Sequence, residues 1–176
     1  MMTRPHITLV TGGARSGKSA LAERLVRRFG LPLIYIATAE ARDGEMASRI
    51  AQHQASRGKG WTTIEAPRDL PAVLEGCDGQ GARLVDCLTL WLSNGANAAD
   101  FDRLVVTLRQ QRCPVVLVTN ELGQGIVPAD PMTRRFRDDH GRLNQRVAEV
   151  SDEVWTAISG QPLRLKPWRH DPDAPL

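Results

Sequence analysis

The chain has 176 residues, of which 41% are apolar and 24% are charged. That length suits one domain with a sizeable core, and the near-average composition excludes a disordered or fibrous chain. No apolar run reaches the roughly 20 residues of a membrane span, and the opening segment lacks the apolar stretch of a secretory signal. We therefore expect a cytoplasmic protein whose three cysteines, Cys77, Cys87 and Cys113, remain reduced.

The net charge is small, but its distribution along the chain is uneven. A charge of +3 gives no indication of nucleic-acid binding. Residues 1–60 contain ten Lys or Arg and four Asp or Glu, a balance of +6, so the remainder of the chain has a balance of −3. A basic first third suits a small ligand rich in phosphate, although a solvated helix face gives the same pattern.

Short β-branched runs alternate along the chain with segments of helical spacing. The runs predict strands at Ile7–Val10, Leu33–Ala37, Leu84–Asp86, Val115–Thr119 and Val154–Ile158. The helical segments are Ser19–Phe29, which stops at Gly30, then Gly44–Arg57, Asp100–Gln111, and a last helix marked by Leu143, Val147 and Val150. Asp130–Asp139 is typical of a surface loop that opens this last helix.

This alternation predicts an α/β fold with a mostly parallel sheet flanked by helices. Ligands in such folds bind at the carboxyl ends of the strands. We expect a single domain over residues 1–176. Residues 160–176, a proline-rich stretch, are expected to form an edge strand at Leu163–Lys166 and then a frayed tail.

A phosphate-binding loop is the sharpest motif in the chain. The residues GGARSGKS, from Gly12 to Ser19, fit the pattern G-x-x-x-x-G-K-[ST] between a predicted strand and a predicted helix. Glycines there let backbone N–H groups turn toward phosphate oxygens, and the helix N-terminus favours negative charge. Lys18 is expected to reach the β- and γ-phosphates, and the Ser19 hydroxyl to bind Mg²⁺. The motif predicts a P-loop NTPase fold.

Two acidic residues follow apolar runs and are expected at the same sheet edge. Asp86 ends a short run and would hold Mg²⁺ directly or through water, unless it is a helix cap or a turn residue. Glu121 follows Val115–Thr119 and is a candidate base or metal-shell residue. A purely structural role for Glu121 is equally open.

The second predicted helix carries a histidine on a mixed face. At about 100° per residue, Met46, Arg49, Ile50 and Arg57 fall within about 60° of His53. A core face would not include two arginines, and a solvated face would not include two apolar residues. A neutral imidazole can attack phosphorus, and arginines would offset the charge that develops there. The spacing alone leaves His53 open as a nucleophile or as a packing residue.

Several segments taken together resemble one family. In chain order they are TGGARSGKS (Thr11–Ser19), YIATA (Tyr35–Ala39), EMASRIAQH (Glu45–His53), WTT (61–63), VDCLTLWLSN (Val85–Asn94), VTNELGQGIVP (Val118–Pro128) and FRDDHGRLNQRVAEVSDEV (Phe136–Val154). They resemble the bifunctional adenosylcobinamide kinase/adenosylcobinamide-phosphate guanylyltransferase of cobalamin biosynthesis. The segments TNELGQGIVP and GRLNQRVAEVSDEVW are far more specific than the phosphate loop.

The resemblance implies a RecA-like fold, a homotrimer and two reactions. ATP or GTP phosphorylates the aminopropanol hydroxyl of adenosylcobinamide, and GMP from GTP then passes through a histidine to adenosylcobinamide phosphate, giving adenosylcobinamide-GDP. The family's R-I-x-x-H pattern falls on residues 49–53, so it implies that His53 is the nucleophile, with Lys18 as the second catalytic residue. The implied nucleotide contacts are Gly12, Gly13, Ala14, Arg15, Ser16, Gly17, Lys18, Ser19, Thr38, Ala39, Glu40, Gln54, Ala55, Ser56, Arg57, Glu65 and Asp86.

Two other functions stay open from the residues alone. One is a single-function small-molecule kinase in which His53 is structural, and the other is a nucleotide-switch or assembly ATPase subunit that binds a protein partner. Only the bifunctional enzyme predicts a covalent GMP after incubation with GTP and Mg²⁺. The chain has few aromatic side chains with which to bind a corrinoid, one Tyr and three Phe, so the sequence does not locate a corrinoid surface. Trp61 and Trp91 are candidates for such contacts, but we favour a core position for each.

Overall fold

Strand β1, which precedes the phosphate loop, is an interior strand of a seven-stranded sheet. The structure is a computed structural model that describes residues 6–40, 44, 48 and 58–167. The strands are β1 (Ile7–Gly12), β2 (Leu33–Ala37), β3 (Trp61–Glu65), β4 (Ala82–Val85), β5 (Val115–Val118), β6 (Glu153–Ile158) and β7 (Gln161–Lys166). Their order across the sheet is β3-β2-β4-β5-β1-β6-β7, and all neighbours are parallel except β6 and β7. The predicted mostly parallel sheet is confirmed.

Helices cover both faces of this sheet. They are α1 (Lys18–Arg27), α2 (Leu70–Gly76), α3 (Leu88–Ser93), α4 (Ala98–Gln110) and α5 (Pro131–Val150). Helix α1 packs Leu21 and Val26 against Val116 on one face. The other four helices share the core that includes Leu9 and Leu117 on the opposite face. Strand β5 is buried throughout, which explains why it appears in the sequence as a continuous apolar run.

The predicted strands all form, and each end lies within two residues of its predicted position. Strand β3 and helices α2 and α3 were not predicted. The exposed Thr62 and Thr63 interrupt any apolar run in β3, and α2 and α3 span only 7 and 6 residues. Trp91 is fully buried, as expected, and its Nε1 donates to the carbonyl of Arg68 at 2.6 Å. Trp61 is half-buried beside α1.

The surface loop predicted at residues 130–139 is wrong, because helix α5 already begins at Pro131. The Asp130 carboxylate accepts a hydrogen bond from the backbone N–H of Thr133 at 2.7 Å and so caps the helix. Aspartate followed by proline favours a helix start, since the first turn has no intrahelical use for the N–H that proline lacks. The polar segment is therefore the first half of a 20-residue helix.

The helix predicted at residues 44–57 is described at two positions. Gly44 and Ser48 are helical, and Ser48 Oγ donates to the carbonyl of Gly44 at 2.9 Å. The rest of that segment, including His53, lies outside the described residues, as do residues 168–176 of the expected tail. Among the helices that the structure describes, none is long and apolar enough to span a membrane.

A buried arginine joins two loops at the amino edge of the sheet. The Arg83 side chain is fully buried and donates to Asp78 Oδ1 at 2.8 Å and to the carbonyl of Cys113 at 2.6 Å. Burial opposes the charged form of Asp78, but hydrogen bonds from Arg83, Arg112 and the Cys113 backbone outweigh it and lower the pKa of this carboxyl from 3.8 to about 2. This ion pair anchors the end of the sheet opposite the phosphate loop.

Asp78→Asn is expected to lower the free energy of unfolding by about 3–5 kcal/mol, because Arg83 would keep a buried charge without its counter-ion. Urea denaturation at pH 7 measures the change. In the wild type, the stabilisation from Asp78 is present above pH about 4 and is lost as the pH falls toward about 2, because its folded-state pKa lies below its unfolded value.

Asp138→Asn is the matched control for this change. The Asp138 side chain is 57% exposed, so its replacement should alter the free energy of unfolding by less than about 0.5 kcal/mol. Equal effects of the two substitutions would contradict the structural role assigned to Asp78.

Candidate active site

The carboxyl ends of six parallel strands form one edge of the sheet. Across that edge the row runs from Glu65 at the end of β3, past residues 38 and 86 after β2 and β4, to residue 119 after β5, Gly12 at the end of β1 and Ile158 at the end of β6. Parallel topology collects ligand-binding residues at such an edge. The phosphate loop, Asp86 and Glu121 are therefore brought together as the sequence indicates.

The phosphate loop, residues 12–17, has the sharply bent backbone of a glycine-rich anion site. Gly17, directly before α1, has a φ of 95°, and Arg15 has a φ of 56°. Lys18 begins α1, and its Nζ donates a hydrogen bond to the carbonyl of Gly13 at 3.0 Å. This contact holds the lysine charge against the loop, next to the positive end of the helix dipole.

Close packing explains why glycine occupies position 12. A Cβ atom there would lie 2.5 Å from Ser16 Oγ and 2.7 Å from the carbonyl oxygen of Ala157 in β6. Ser16 is buried, and its Oγ has no hydrogen-bond partner among the described atoms. The turn between β6 and β7 also contacts the loop, since the N–H of Gly160 donates to the carbonyl of Ser16 at 2.9 Å. The loop is thus held by β1 and by the β6–β7 hairpin.

Of the predicted nucleotide contacts outside the loop, residues 38–40, Glu65 and Asp86 follow strands on the side of β1 that faces away from β6. Glu65 pairs with Ala37 at the carboxyl ends of β3 and β2, so residues 38–40 start beside it. Thr38 is buried and its hydroxyl donates to the carbonyl of Cys87 at 2.7 Å. Glu40 accepts a hydrogen bond from Arg68 Nε at 3.2 Å. Residues 54–57, the remaining predicted contacts, lie outside the described residues.

Asp86 is placed as a strand-end carboxylate. It directly follows β4, and its N–H donates to the carbonyl of Ile36 in β2 at 3.1 Å. The cap of the next helix, α3, is Cys87 rather than Asp86. The alternative in which Asp86 serves as a helix cap is therefore excluded, and its half-buried carboxylate is left at the edge where metal ligands are expected.

Glu121 is fastened to the strand that carries the phosphate loop. Its Oε1 accepts a hydrogen bond from the Thr11 hydroxyl at 2.5 Å, and its N–H donates to the carbonyl of Gly12 at 3.3 Å. Thr11 was not singled out by the sequence, because its partner lies 110 positions along the chain. These contacts place a carboxylate directly beside the loop.

A buried polar network supports the segment that carries Glu121. His140 Nε2 lies 2.9 Å from Thr89 Oγ1 and 3.2 Å from Thr119 Oγ1. Thr119 Oγ1 donates to Asn144 Oδ1 at 2.7 Å, and Asn144 Nδ2 donates to the carbonyl of Asn120 at 3.0 Å. Helices α3 and α5 are thereby joined to the end of β5. No motif in the sequence predicts this network.

The two histidines that the structure describes, His140 and His6, are poorly placed to attack a phosphate in the loop. His140 is 1% exposed, and burial lowers its pKa although the charge of Glu121 opposes that shift. His6 precedes β1, at the opposite edge of the sheet from the loop, and lies 2.9 Å from Arg28 Nη2 and 3.4 Å from Glu153 Oε1.

A pocket of about 390 Å³ opens beside the loop. One wall is formed by residues 12–16 of the loop and another by residues 156–159 at the end of β6. Glu121 and Gln124, which follow β5, complete the lining. The sequence could not predict this pocket, because its lining comes from three segments that are far apart along the chain.

A phosphate loop by itself occurs in many enzyme classes and does not identify a family. The sequence as a whole does identify one. The family model for cobinamide kinase / cobinamide phosphate guanyltransferase matches residues 8–165. The chain belongs to this family. Both activities of the cobinamide kinase / cobinamide phosphate guanyltransferase family are transferases, which favours the bifunctional interpretation over a single-function kinase or an assembly ATPase.

Individual relatives agree with this family assignment. The chain is 45% identical to the bifunctional adenosylcobalamin biosynthesis protein CobP of Pseudomonas aeruginosa, over 90% of this chain and 96% of the relative. It is 41% identical to the bifunctional adenosylcobalamin biosynthesis protein CobU of Salmonella typhimurium, over 90% and 98% of the two chains. Among solved structures, the flagellar accessory protein FlaH from Methanocaldococcus jannaschii superposes with a TM-score of 0.54 at 12% identity, covering 93% of this chain and 80% of FlaH. That likeness shows the fold.

Gly12→Ala is expected to weaken nucleotide binding by at least about tenfold, because its Cβ would push Ser16 and the loop away from β6. Isothermal titration with GTP measures the affinity. Gly13→Ala is the matched control for fold, since a Cβ at that position would have no heavy atom within 4 Å, and its melting temperature should equal that of the wild type. A Gly12→Ala protein with unchanged affinity would show that this packing does not shape the loop.

Proposed function

We propose that this member of the cobinamide kinase / cobinamide phosphate guanyltransferase family uses one phosphate loop for two reactions in series. In the first, the aminopropanol hydroxyl of adenosylcobinamide takes the γ-phosphate of ATP or GTP. In the second, GTP transfers GMP to His53 and releases pyrophosphate. Adenosylcobinamide phosphate then takes the GMP and becomes adenosylcobinamide-GDP.

The observation that carries the proposal is the built phosphate loop within a chain of this family. The loop follows β1, precedes α1, and is held by contacts from β6 and Gly160. Its backbone N–H groups and the Lys18 ammonium supply positive charge for the β- and γ-phosphates of a triphosphate. A loop that binds the β- and γ-phosphates holds the whole triphosphate in place. An acceptor can then attack either the α-phosphorus or the γ-phosphorus of the same bound nucleotide.

The nucleoside is proposed to bind toward β2 and β3. The contacts implied there are residues 38–40, 54–57, Glu65 and Asp86. Strand β1 is separated from β2 by three strand spacings, or about 14 Å, a span that suits an extended nucleotide with its phosphates in the loop. This orientation directs the α-phosphate toward the helix predicted to carry His53.

Mg²⁺ is proposed to bind between the Ser19 hydroxyl and the Asp86 carboxylate. The fit rests on donor chemistry: both are hard oxygen ligands, both side chains are half-buried, and Asp86 is free of the cap role. When bound, the ion would neutralise charge on the phosphate oxygens. Lys18 and the loop N–H groups supply the protein's own share of that neutralisation.

His53 is proposed as the nucleophile of the guanylyl transfer. Its imidazole nitrogen would form a bond to the α-phosphorus while the bond to the bridging oxygen breaks, and the electron pair leaves with pyrophosphate. Arg49 and Arg57, which share its predicted helix face, would offset charge on the reacting phosphate. The placement of His140 and His6 supports His53, since neither of those histidines is available beside the loop.

A homotrimer in the cytoplasm is proposed on the family resemblance. Exposed apolar side chains support an assembly of copies, because Met132 and Val106 are 77% and 51% exposed. The free thiols of Cys77, Cys87 and Cys113 support a reducing compartment.

His53→Ala is expected to separate the two reactions. Transfer of γ-phosphate to adenosylcobinamide should persist within about threefold, because that step needs phosphate positioning but no covalent intermediate. Label from α-phosphate-labelled GTP should remain on the wild-type protein and should be lost from the variant, since alanine has no nucleophile. Acid should release the label from the wild type and alkali should not, as expected for a bond between phosphorus and an imidazole nitrogen.

His6→Ala is the matched control for the loss of an imidazole. It should retain the full α-label. Full α-label on the His53→Ala protein would overturn the assignment of the nucleophile, and loss of both reactions would place His53 in the binding of the triphosphate instead.

A further inference from the structure

The pocket beside the phosphate loop is lined by elements from both neighbours of β1. Glu121 and Gln124 follow β5, residues 156–159 end β6, and residues 12–16 form the remaining wall. Its volume of about 390 Å³ is in the range of sites that take small organic groups. The nucleotide contacts proposed above use neither Glu121 nor Gln124, nor the end of β6.

The strand order places this pocket across the end of β1, between the ends of β5 and β6. With the nucleoside toward β2 and β3, the γ-phosphate is the end of the chain of phosphates farthest from those strands. Residues 156–159 lie on the side of β1 that faces away from β2 and β3. In the proposed orientation the γ-phosphate therefore lies nearer to this pocket than the α-phosphate does.

We propose that this pocket receives the hydroxyl group that accepts the γ-phosphate and that Glu121 takes the proton from that hydroxyl. The inference rests on the proposed function. Glu121 is half-buried, and its two contacts to Thr11 and Gly12 both come from the strand that carries the loop. The carboxylate is thus fixed relative to the phosphates. Its Oε2 receives no hydrogen bond from a described residue and is the atom that accepts the proton.

The step balances without any further reactant. The substrate oxygen forms a bond to the γ-phosphorus as its proton passes to Glu121. The bond between the γ-phosphorus and the bridging oxygen breaks, and its electron pair leaves with the nucleoside diphosphate. Glu121 later returns the proton to water. A positioned base of this kind typically contributes 10²–10⁴-fold to the rate.

The pocket suits an amino-alcohol arm and excludes a macrocycle. About 390 Å³ takes a short polar arm, so a corrin ring has to remain outside. The Gln124 side chain carries both a donor and an acceptor for an amide on such an arm. Apolar surface for the ring is available next to these residues, because Ile158 in the lining is 60% exposed and Ile126, two positions after Gln124, is 97% exposed.

The test uses Glu121→Gln in the full chain, with adenosylcobinamide and GTP as substrates. We expect the kcat of phosphoryl transfer to fall at least about 100-fold, because the amide cannot accept the proton. GMP attachment to the protein should stay within about threefold of the wild-type rate. Glu149→Gln, the same change at an exposed residue of α5, should alter neither rate. Gln124→Ala should raise the KM for adenosylcobinamide at least about tenfold and leave the KM for GTP unchanged.

The outcomes separate this inference from the proposed function. If Glu121→Gln slows both reactions equally, Glu121 serves the triphosphate or its metal ion, and the inference is wrong. If it slows neither, Glu121 does not take the proton, and the inference is wrong. Should Glu121→Gln fail to fold, an unchanged KM for adenosylcobinamide in Gln124→Ala would overturn the inference. Failure of the wild type to phosphorylate adenosylcobinamide or to retain GMP would instead contradict the proposed function.

Discussion

Contact between backbones around Gly12 is the constraint on which the rest of the site depends. The loop can turn into α1 only because no Cβ atom separates it from Ser16 and from the carbonyl of Ala157. The same closeness brings the β6–β7 turn against the loop through Gly160. Phosphate binding by backbone N–H groups requires a fixed loop conformation, since the N–H groups have to be oriented toward the phosphate oxygens.

The position of β1 within the sheet gives this loop two usable sides. Strands β5, β4, β2 and β3 extend to one side and bring Asp86, residues 38–40 and Glu65 to the shared edge. Strand β6 and the β6–β7 turn close the other side and form one wall of the pocket, which Glu121 and Gln124 after β5 complete. A sheet in which β1 lay at an edge would offer one such side. The interior position of β1 therefore suits an enzyme proposed to react with the same triphosphate at either end.

The local parts of this architecture could be predicted from the sequence. The phosphate loop is a motif of eight consecutive residues. The apolar run before it and the helical spacing after it show its strand-loop-helix context. The buried strand β5 is a continuous apolar run because both of its faces are covered. Strand β3 was missed because three of its five side chains are exposed, so tertiary pairing rather than hydrophobic pattern places it.

The parts that depend on distant pairs could not be predicted. The hydrogen bond between Thr11 and Glu121 joins residues 110 positions apart, and the network around His140 joins three separate segments. Helix α5 was interpreted as a loop at its start because its first turns are polar and half exposed, although Asp130 and Pro131 together form a helix-start signal. The base role proposed for Glu121 follows from these long-range contacts.

The central claim is that one phosphate loop supports both attack at the α-phosphate and attack at the γ-phosphate. Intact-mass spectrometry of the wild-type protein after incubation with GTP and Mg²⁺ tests it most directly. The account predicts a mass gain of a single GMP per chain, on the peptide that contains His53. A protein that phosphorylates adenosylcobinamide but never gains GMP would be a single-function kinase, and a chain that gains two GMP groups would have a second nucleotide site. Either result would contradict the account.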